Sequence, residues 1–233
     1  MLSLIIFIPL IAALALLMVS RESVAAIKTV GVGAAAASFA LSLWLLFSFD
    51  TANPGMQFVQ TFHWVPALHI NYLVGVDGIS LWMVVLTAFL GLLAVMLSFS
   101  QKEGLRNFVA LILALEAGTL GVFLALDTIL FYVFWELMLV PTYFLIGIWG
   151  EGRRVYATMK FVIYTLVGSL LMLVAIVSLT MVHYGATHDV TFDLRVLTLT
   201  HIDPSMQIWM FLCFFLAFAI KVPVFPLHSW LPH

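Results

Sequence analysis

Three ionisable residues lie inside long apolar runs: Glu116, Glu136 and Lys221. A charged side chain at bilayer depth costs about 2.5–3.5 kcal/mol or more, so such residues are rare, face the protein interior and mark ion or proton paths. Burial disfavours the charged form of an acid or a lysine, and an opposite charge within about 4–6 Å restores it. A glutamate and a lysine that approach and separate therefore take up and release protons, with no nucleophile and no metal. Glu136 and Lys221 are the pair read in this way, although spacing alone does not bring them together. The plainer reading of Glu136 is a neutral acid hydrogen-bonded to a neighbouring helix. Glu116 reads equally as a proton-path acid and as a local hydrogen bonder.

Prolines follow both residues of the pair. Pro141 has no N–H for the carbonyl of Leu137, so one backbone acceptor is freed beside Glu136. Waters or polar neighbours re-satisfy such groups in membrane helices. The arrangement suits a proton or ion path, and equally an ordinary kink. Pro223 and Pro226 remove the donors to the carbonyls of Ala219 and Val222. A short, proline-interrupted apolar segment points to a broken helix at a transport site; its alternative is a helix that ends and a loop that follows. His228, just past this break, is a further candidate for the path.

The elements that must position these residues follow from composition. Of the 233 residues 64% are hydrophobic and 9% are charged, against about half and a quarter in soluble domains. The chain reads as an all-α integral membrane protein. A formal net charge of -2 gives no reason to expect nucleic acid or another polyanion. Cys213 is the single cysteine, which excludes an intrachain disulfide, a cysteine zinc site and a cysteine-ligated iron–sulfur cluster. No GxGxxG or Walker sequence occurs, so no nucleotide site is expected.

Spans need about 20 apolar residues. The runs are 2–19, 29–49, 79–99, 107–126, 128–149 and 161–182, with a shorter seventh at 208–221 broken at Pro223/Pro226, together one transmembrane domain over 1–233. The first run has no basic residue ahead of it, and Arg21 comes after, so it reads as a retained span rather than a signal peptide. Asp127, between the fourth and fifth runs, reads as an N-cap. Lys160 reads as a residue at a helix start that snorkels to the interface. The odd-numbered loops hold Arg21 and Lys28, then Lys102 and Arg106, then Arg153, Arg154 and Lys160. The even-numbered loops hold Arg195. This asymmetry places the odd loops in the cytoplasm and the N-terminus outside. Asn53-Pro-Gly55 signals a turn, and His69–Val76 suits a short strand. The loop 183–205 carries His183, His188, Asp189, Asp193, His201 and Asp203, without the spacing of a standard metal site.

The run Phe134-Trp-Glu-Leu-Met-Leu-Val-Pro-Thr-Tyr-Phe-Leu-Ile-Gly-Ile-Trp-Gly150 resembles the antiporter-like subunit M (chain 4) of proton-translocating NADH:quinone oxidoreductase, respiratory complex I. So do Val76-Asp-Gly-Ile-Ser-Leu81, Gly121-Val-Phe-Leu-Ala-Leu-Asp127 and Lys221-Val-Pro-Val-Phe-Pro-Leu-His-Ser-Trp-Leu-Pro232. The sister subunits L and N and the multi-subunit sodium/proton antiporters share the glutamate and the Lys-x-Pro break. The wording Trp-Glu-Leu-Met-Leu-Val-Pro favours subunit M.

The resemblance implies an antiporter-like bundle of about fourteen helices in two inverted repeats, each with a broken helix, of which this chain would be the N-terminal half. It places the fifth-helix glutamate on Glu136 and the broken-helix lysine on Lys221. In the family view the lysine belongs to a protonation chain along the membrane midplane, and the glutamate tunes it. Proton pumping would be coupled to NADH oxidation and quinone reduction elsewhere. NADH, FMN, iron–sulfur clusters and quinone would belong to other subunits, and this chain would bind no cofactor. Its partners would be the sister membrane-arm subunits and the lipid of a bacterial inner membrane or its mitochondrial equivalent. The alternative is a subunit of a sodium/proton antiporter. Family members are much longer, and their pattern continues Leu-Pro-Asp-Ala-His where this chain has Leu-Pro-His233. The chain is therefore expected to be a fragment that lacks the second broken helix.

Overall fold

A computed structural model describes residues 1–101 and 103–231. Lys102 of the second odd loop, and Pro232 and His233 at the end of the last motif, lie outside the described residues. The helices are α1 (Leu2–Met18), α2 (Val24–Ser48), α3 (Gly78–Leu97), α4 (Leu105–Leu124), α5 (Thr128–Leu137), α6 (Leu139–Trp149), α7 (Arg154–Thr187), the short α8 (Leu194–Leu197) and α9 (Pro204–Lys221). Among the described residues six segments are long and apolar enough to cross a membrane: Val24–Ser48, Gly78–Ser100, Leu105–Leu124, Thr128–Trp149, Arg154–Thr187 and Pro204–Lys221. The 17-residue α1 is apolar but shorter. The helical membrane class agrees with expectation, with six such segments and the shorter α1 where about seven spans were expected, and the large apolar side chains left exposed, such as Phe47 at 84% and Ile79 at 76%, suit lipid or partner contact.

Two features differ from the sequence reading. The segment before α3 forms a hairpin of β1 (Gln57–Val65) and β2 (Ile70–Val76), where one short strand was expected. β1 carries Phe58, Val59, Thr61, Phe62, Trp64 and Val65, the aromatic and β-branched residues that favour a pleated surface. The second feature is α7, which starts at Arg154 rather than Phe161 and ends at Thr187 rather than Val182. Hydropathy finds only the stretch that lipid covers, whereas the polar turns at either end are good enough helix formers to extend it. Lys160 is consequently no helix-start residue. Its amino group donates to the carbonyl of Ser229 instead of reaching for an interface.

The chain divides into two compact units. The first comprises Met1–Thr61 and Leu73–Ala125. In it α1 packs on α2 and α4, and α2 packs on α3 and α4. Its core holds Leu16, Ile27, Ala35, Val95, Val109 and Leu113. Small residues allow close approach, as is usual between membrane helices: a Cβ on Gly31 would lie 2.8 Å from Val109 Cγ1. The start of α3 is fixed by a capping box. Asp77 accepts from the N–H groups of Ile79 (3.1 Å) and Ser80 (2.7 Å), and Ser80 Oγ accepts from the Asp77 N–H at 2.9 Å. Burial alone would raise the Asp77 carboxyl, but these bonds together outweigh it and hold the group below its ordinary value.

The second unit comprises Phe62–Tyr72 and Leu126–His233, and α7 is its spine, with α5, α6 and α9 packed on it. Asp127 caps α5 as expected, accepting from Ile129 N (2.9 Å) and Leu130 N (3.0 Å). Its other oxygen accepts from Asn71 N at 3.0 Å, tying the hairpin tip to the same point. The flanking backbone pairs with the segment before α8, through Thr128 N to Phe192 O and Leu194 N to Leu126 O, both 2.8 Å. Burial of Asp127 raises its carboxyl; the three N–H bonds oppose this, and the nearby Asp193 charge adds to it. The polar loop 183–205 is likewise spent on structure. His183 Nδ1 pairs with Thr200 Oγ1 at 2.8 Å, and Asp193 caps α8 and forms an ion pair with Arg195 at 2.6 Å.

Candidate functional site

Glu136 stands one residue before the end of α5, and the helix is interrupted at Met138 before α6 begins. The interruption lies where the Pro141 ring displaces the carbonyl four residues earlier. The Met138 carbonyl is taken up by Thr142, through its N–H at 3.3 Å and its hydroxyl at 2.7 Å. One carboxyl oxygen of Glu136, Oε1, is buried with no hydrogen-bond partner among the described residues. Tyr132 lies one turn earlier on the same helix face, and its hydroxyl neighbours both the Glu136 carboxyl and the Ser169 hydroxyl of α7.

Lys221 is the last residue of α9. Its amino group lies 5.3 Å from the centre of the Trp135 ring and 5.9 Å from that of Phe161, within cation–π range. It also feels the charge of Glu136, so the structure brings the two sequence candidates into one electrostatic unit. They are not in direct contact: among the described residues the one ion pair within 4 Å is Arg195–Asp193.

What sets their separation is α7. Gly168 lets α9 come close, since a Cβ there would stand 3.2 Å from the backbone Cα of Ala217 and 3.0 Å from Ile220 Cδ1. The next residue, Ser169, is 1% exposed and meets Tyr132 of α5. Two consecutive positions of one helix thus hold the glutamate-bearing and lysine-bearing helices. Met172, Ile176 and Ala217 form an apolar cluster beside them, packed by Phe131, Trp135 and Phe214.

The helix α9 ends at Lys221, and the backbone there is re-satisfied. The Ala219 carbonyl, deprived of a donor by Pro223, accepts from Val224 N at 2.9 Å. The Ile220 carbonyl accepts from the Trp230 indole N–H at 2.8 Å. The turn Leu227–Trp230 that follows is held to α7 by Lys160 and by Tyr164, whose hydroxyl lies 3.0 Å from Ser229 Oγ.

The other two candidates are His228 and Glu116. His228 sits in the turn after α9, stacked on Phe225 at 5.6 Å, with Nδ1 buried and without a hydrogen-bond partner among the described residues. Glu116 belongs to the first compact unit. It is 4% exposed, neither carboxyl oxygen has a hydrogen-bond partner among the described residues, and it packs on the bare backbone of Gly91, where a Cβ would collide with its carboxyl group. Sequence reasoning missed Tyr132, Ser169, Gly168 and Trp230. Of these only Tyr132 carried a signal, its four-residue offset from Glu136.

Residues 125–233 match the family described as NADH:quinone oxidoreductase/Mrp antiporter, transmembrane. NADH-quinone oxidoreductase subunit M of Rhodobacter capsulatus is 44% identical, over 100% of this chain and 47% of that protein. NAD(P)H-quinone oxidoreductase chain 4 of the chloroplast of Chlorokybus atmophyticus is 37% identical, over 99% of this chain and 44% of its own length. A chain of respiratory complex I from Thermus thermophilus with bound NADH superposes with a TM-score of 0.84 at 33% identity, covering 100% of this chain and 46% of that one. The chain thus spans about half the length of the curated relatives it matches. Residues 125–233 thus belong to the transmembrane family shared by NADH:quinone oxidoreductases and Mrp antiporters, and the chain as a whole is similar to about half of each of these relatives.

Proposed function

We propose that this chain serves in a membrane-arm subunit of an NADH:quinone oxidoreductase of the respiratory complex I type, where it carries part of a proton path. The observation that supports this most is the coupling of Glu136 to Lys221, each at an interrupted helix and both held by α7. In this reading the two groups form a protonation switch. Movement of α9 against α5 changes their separation, and with it the mutual stabilisation of the two charged forms, so a proton is redistributed. Oxidation of NADH and reduction of quinone occur in other subunits, which hold FMN and the iron–sulfur clusters. The sister antiporter-like subunits and lipid are the neighbours of this chain. Glu116 and His228 are secondary candidates for the path. Charge asymmetry of the loops supports an N-terminus outside the cytoplasm, in a bacterial inner membrane or its organellar equivalent.

The test is Glu136→Gln in the full-length protein within its complex. The expected result is loss of NADH-driven proton pumping and depressed coupled NADH oxidation, with NADH:ferricyanide activity retained as a measure of assembly. Wild-type pumping would remove Glu136 from the path. The family description covers antiporters as well, which favours a second reading as a sodium/proton antiporter subunit. Neighbouring genes for flavin and iron–sulfur subunits support the first reading, and neighbours encoding membrane subunits alone support the second.

A further inference from the structure

Unit 1 carries a basic pocket that the proton path does not use. It opens where α1 ends, α2 and α4 begin and α3 gives way to the turn Ser98–Ser100. Its cavity of about 330 Å³ is lined by Arg21, Lys28, Phe99, Leu105, Arg106 and Asn107, among others. Among the described residues none of the three cations is ion-paired to an acid. Arg21 precedes α2, Lys28 lies in α2 and Arg106 in α4, and the acidic residues of the flanking stretches are Glu22 and Glu103.

Two of the three cations, Arg106 and Lys28, are held in place, and Arg21 is exposed at the rim. Arg106 Nη1 donates to the last carbonyls of α1, Val19 O at 3.0 Å and Leu17 O at 3.2 Å, and its Nε donates to Asn107 Oδ1 at 3.1 Å. Its Nη2 has no partner among the described residues. Lys28 is held 4.7 Å over the Phe99 ring. Fixed donors at one point suit a phosphate, because the guanidinium fork matches its oxygens and little side-chain freedom is left to lose. The site lies at the ends of membrane-spanning helices, on the side the charge asymmetry assigns to the cytoplasm, and Val24, Phe99 and Leu105 supply an apolar wall. Basic pockets between helices at this level take anionic lipid headgroups.

We infer that the pocket of Arg21, Lys28 and Arg106 binds the phosphate of an anionic phospholipid of the cytoplasm-facing leaflet. The inference does not rest on the proton-path reading. Its test uses the full-length protein in its purified complex, delipidated in detergent, with benzoylphenylalanine in place of Gln101, which also lines the pocket. Dioleoylphosphatidylglycerol, dioleoylphosphatidylcholine and inorganic phosphate are added separately, and lipid adducts at position 101 are quantified by mass spectrometry after illumination. Phosphatidylglycerol should give the adduct, and phosphatidylcholine should not. At about 1 kcal/mol per basic residue near the surface, the apparent affinity should fall about 5-fold in Arg21→Gln and about 30-fold in Arg21→Gln/Lys28→Gln. Arg21 is exposed, so the single variant remains informative if the double variant fails to assemble. Equal labelling by phosphatidylcholine, or an unchanged affinity in Arg21→Gln, would overturn the inference. Millimolar inorganic phosphate that blocked the adduct as fully as excess phosphatidylglycerol would also overturn it, in favour of a free anion.

Discussion

Tyr132→Phe removes a single hydroxyl and almost no volume, so it tests the site without opening the core. That hydroxyl neighbours Glu136 on its own helix and Ser169 on α7. Ser169 loses little, because its Oγ also donates to the Leu166 carbonyl at 3.1 Å. The cost falls on the Glu136 carboxyl, whose Oε1 already lacks a partner among the described residues. A hydrogen bond to a charged group contributes about 1.5–3 kcal/mol, and one between neutral groups about 0.5–1.5. Tyr132 is only partly buried and its hydroxyl stands near the carboxyl rather than in a short hydrogen bond with it, so the low end, about 0.5–1 kcal/mol, is the reasonable figure, equivalent to about 2- to 5-fold in an equilibrium or a rate. The assay is NADH-driven dye quenching in inverted vesicles, divided by NADH:ferricyanide activity to correct for assembled complex. The normalised pumping rate should fall within that range. Ser169→Ala should fall less, and the double variant should fall by less than the product of the two singles, because both act on one hydroxyl. A Tyr132→Phe complex that pumps within twofold of wild type would refute the claim that this hydroxyl conditions Glu136.

Three further outcomes are expected. Gly168→Leu forces a side chain into a contact where even a Cβ meets the Ala217 backbone at 3.2 Å; overpacking costs about 1–3 kcal/mol, so pumping and the thermal midpoint in detergent should both fall, and a stable, pumping variant would show that α7 does not set the α9 position. Asp127→Ala strips the acceptor from three N–H groups and should destabilise the full-length subunit by about 2 kcal/mol, visible as a lower thermal midpoint, with Asp127→Asn milder because it keeps one acceptor oxygen. The Asp77 carboxyl is held below its ordinary value in the fold; its contribution is therefore complete above the ordinary carboxylate range and is lost as pH falls through the lowered folded value. An acid titration of the thermal midpoint should show this loss in wild type and a smaller one in Asp77→Asn.

The membrane class, the helices and the two breaks were legible because each rests on a local cost. A backbone in lipid must bond to itself, so length and hydropathy suffice for α2, α3, α4 and α9. A proline denies a donor to one identifiable carbonyl, so Pro141 and Pro223 mark the breaks to within a turn. The hairpin was half read because β1 is only partly buried and its alternation is interrupted by Phe58 and Val59 side by side. The full length of α7 was hidden for a related reason. Its first turns, Arg154–Lys160, are polar enough to read as a loop, and the partner that makes Lys160 useful, the Ser229 carbonyl, is 69 positions away.

The candidate site divides along the same line. Glu136 and Lys221 could be found one at a time, because a buried charge is costly wherever its partner stands. That cost does not name the partner, since an opposite charge, a hydroxyl and an aromatic face all repay part of it. Lys221 draws on Trp135, Phe161 and the field of Glu136 together, and each of the three comes from a different stretch of chain from its own. Gly168 and Ser169 decide how far apart the pair stands, yet in sequence they are two small residues in an apolar run with no charge to draw attention. If protonation depends on separation, these two positions, and not the charged pair alone, fix how much movement of α9 the switch needs. Gly168→Leu, which leaves Glu136 and Lys221 untouched, should therefore still lower pumping by shifting α9.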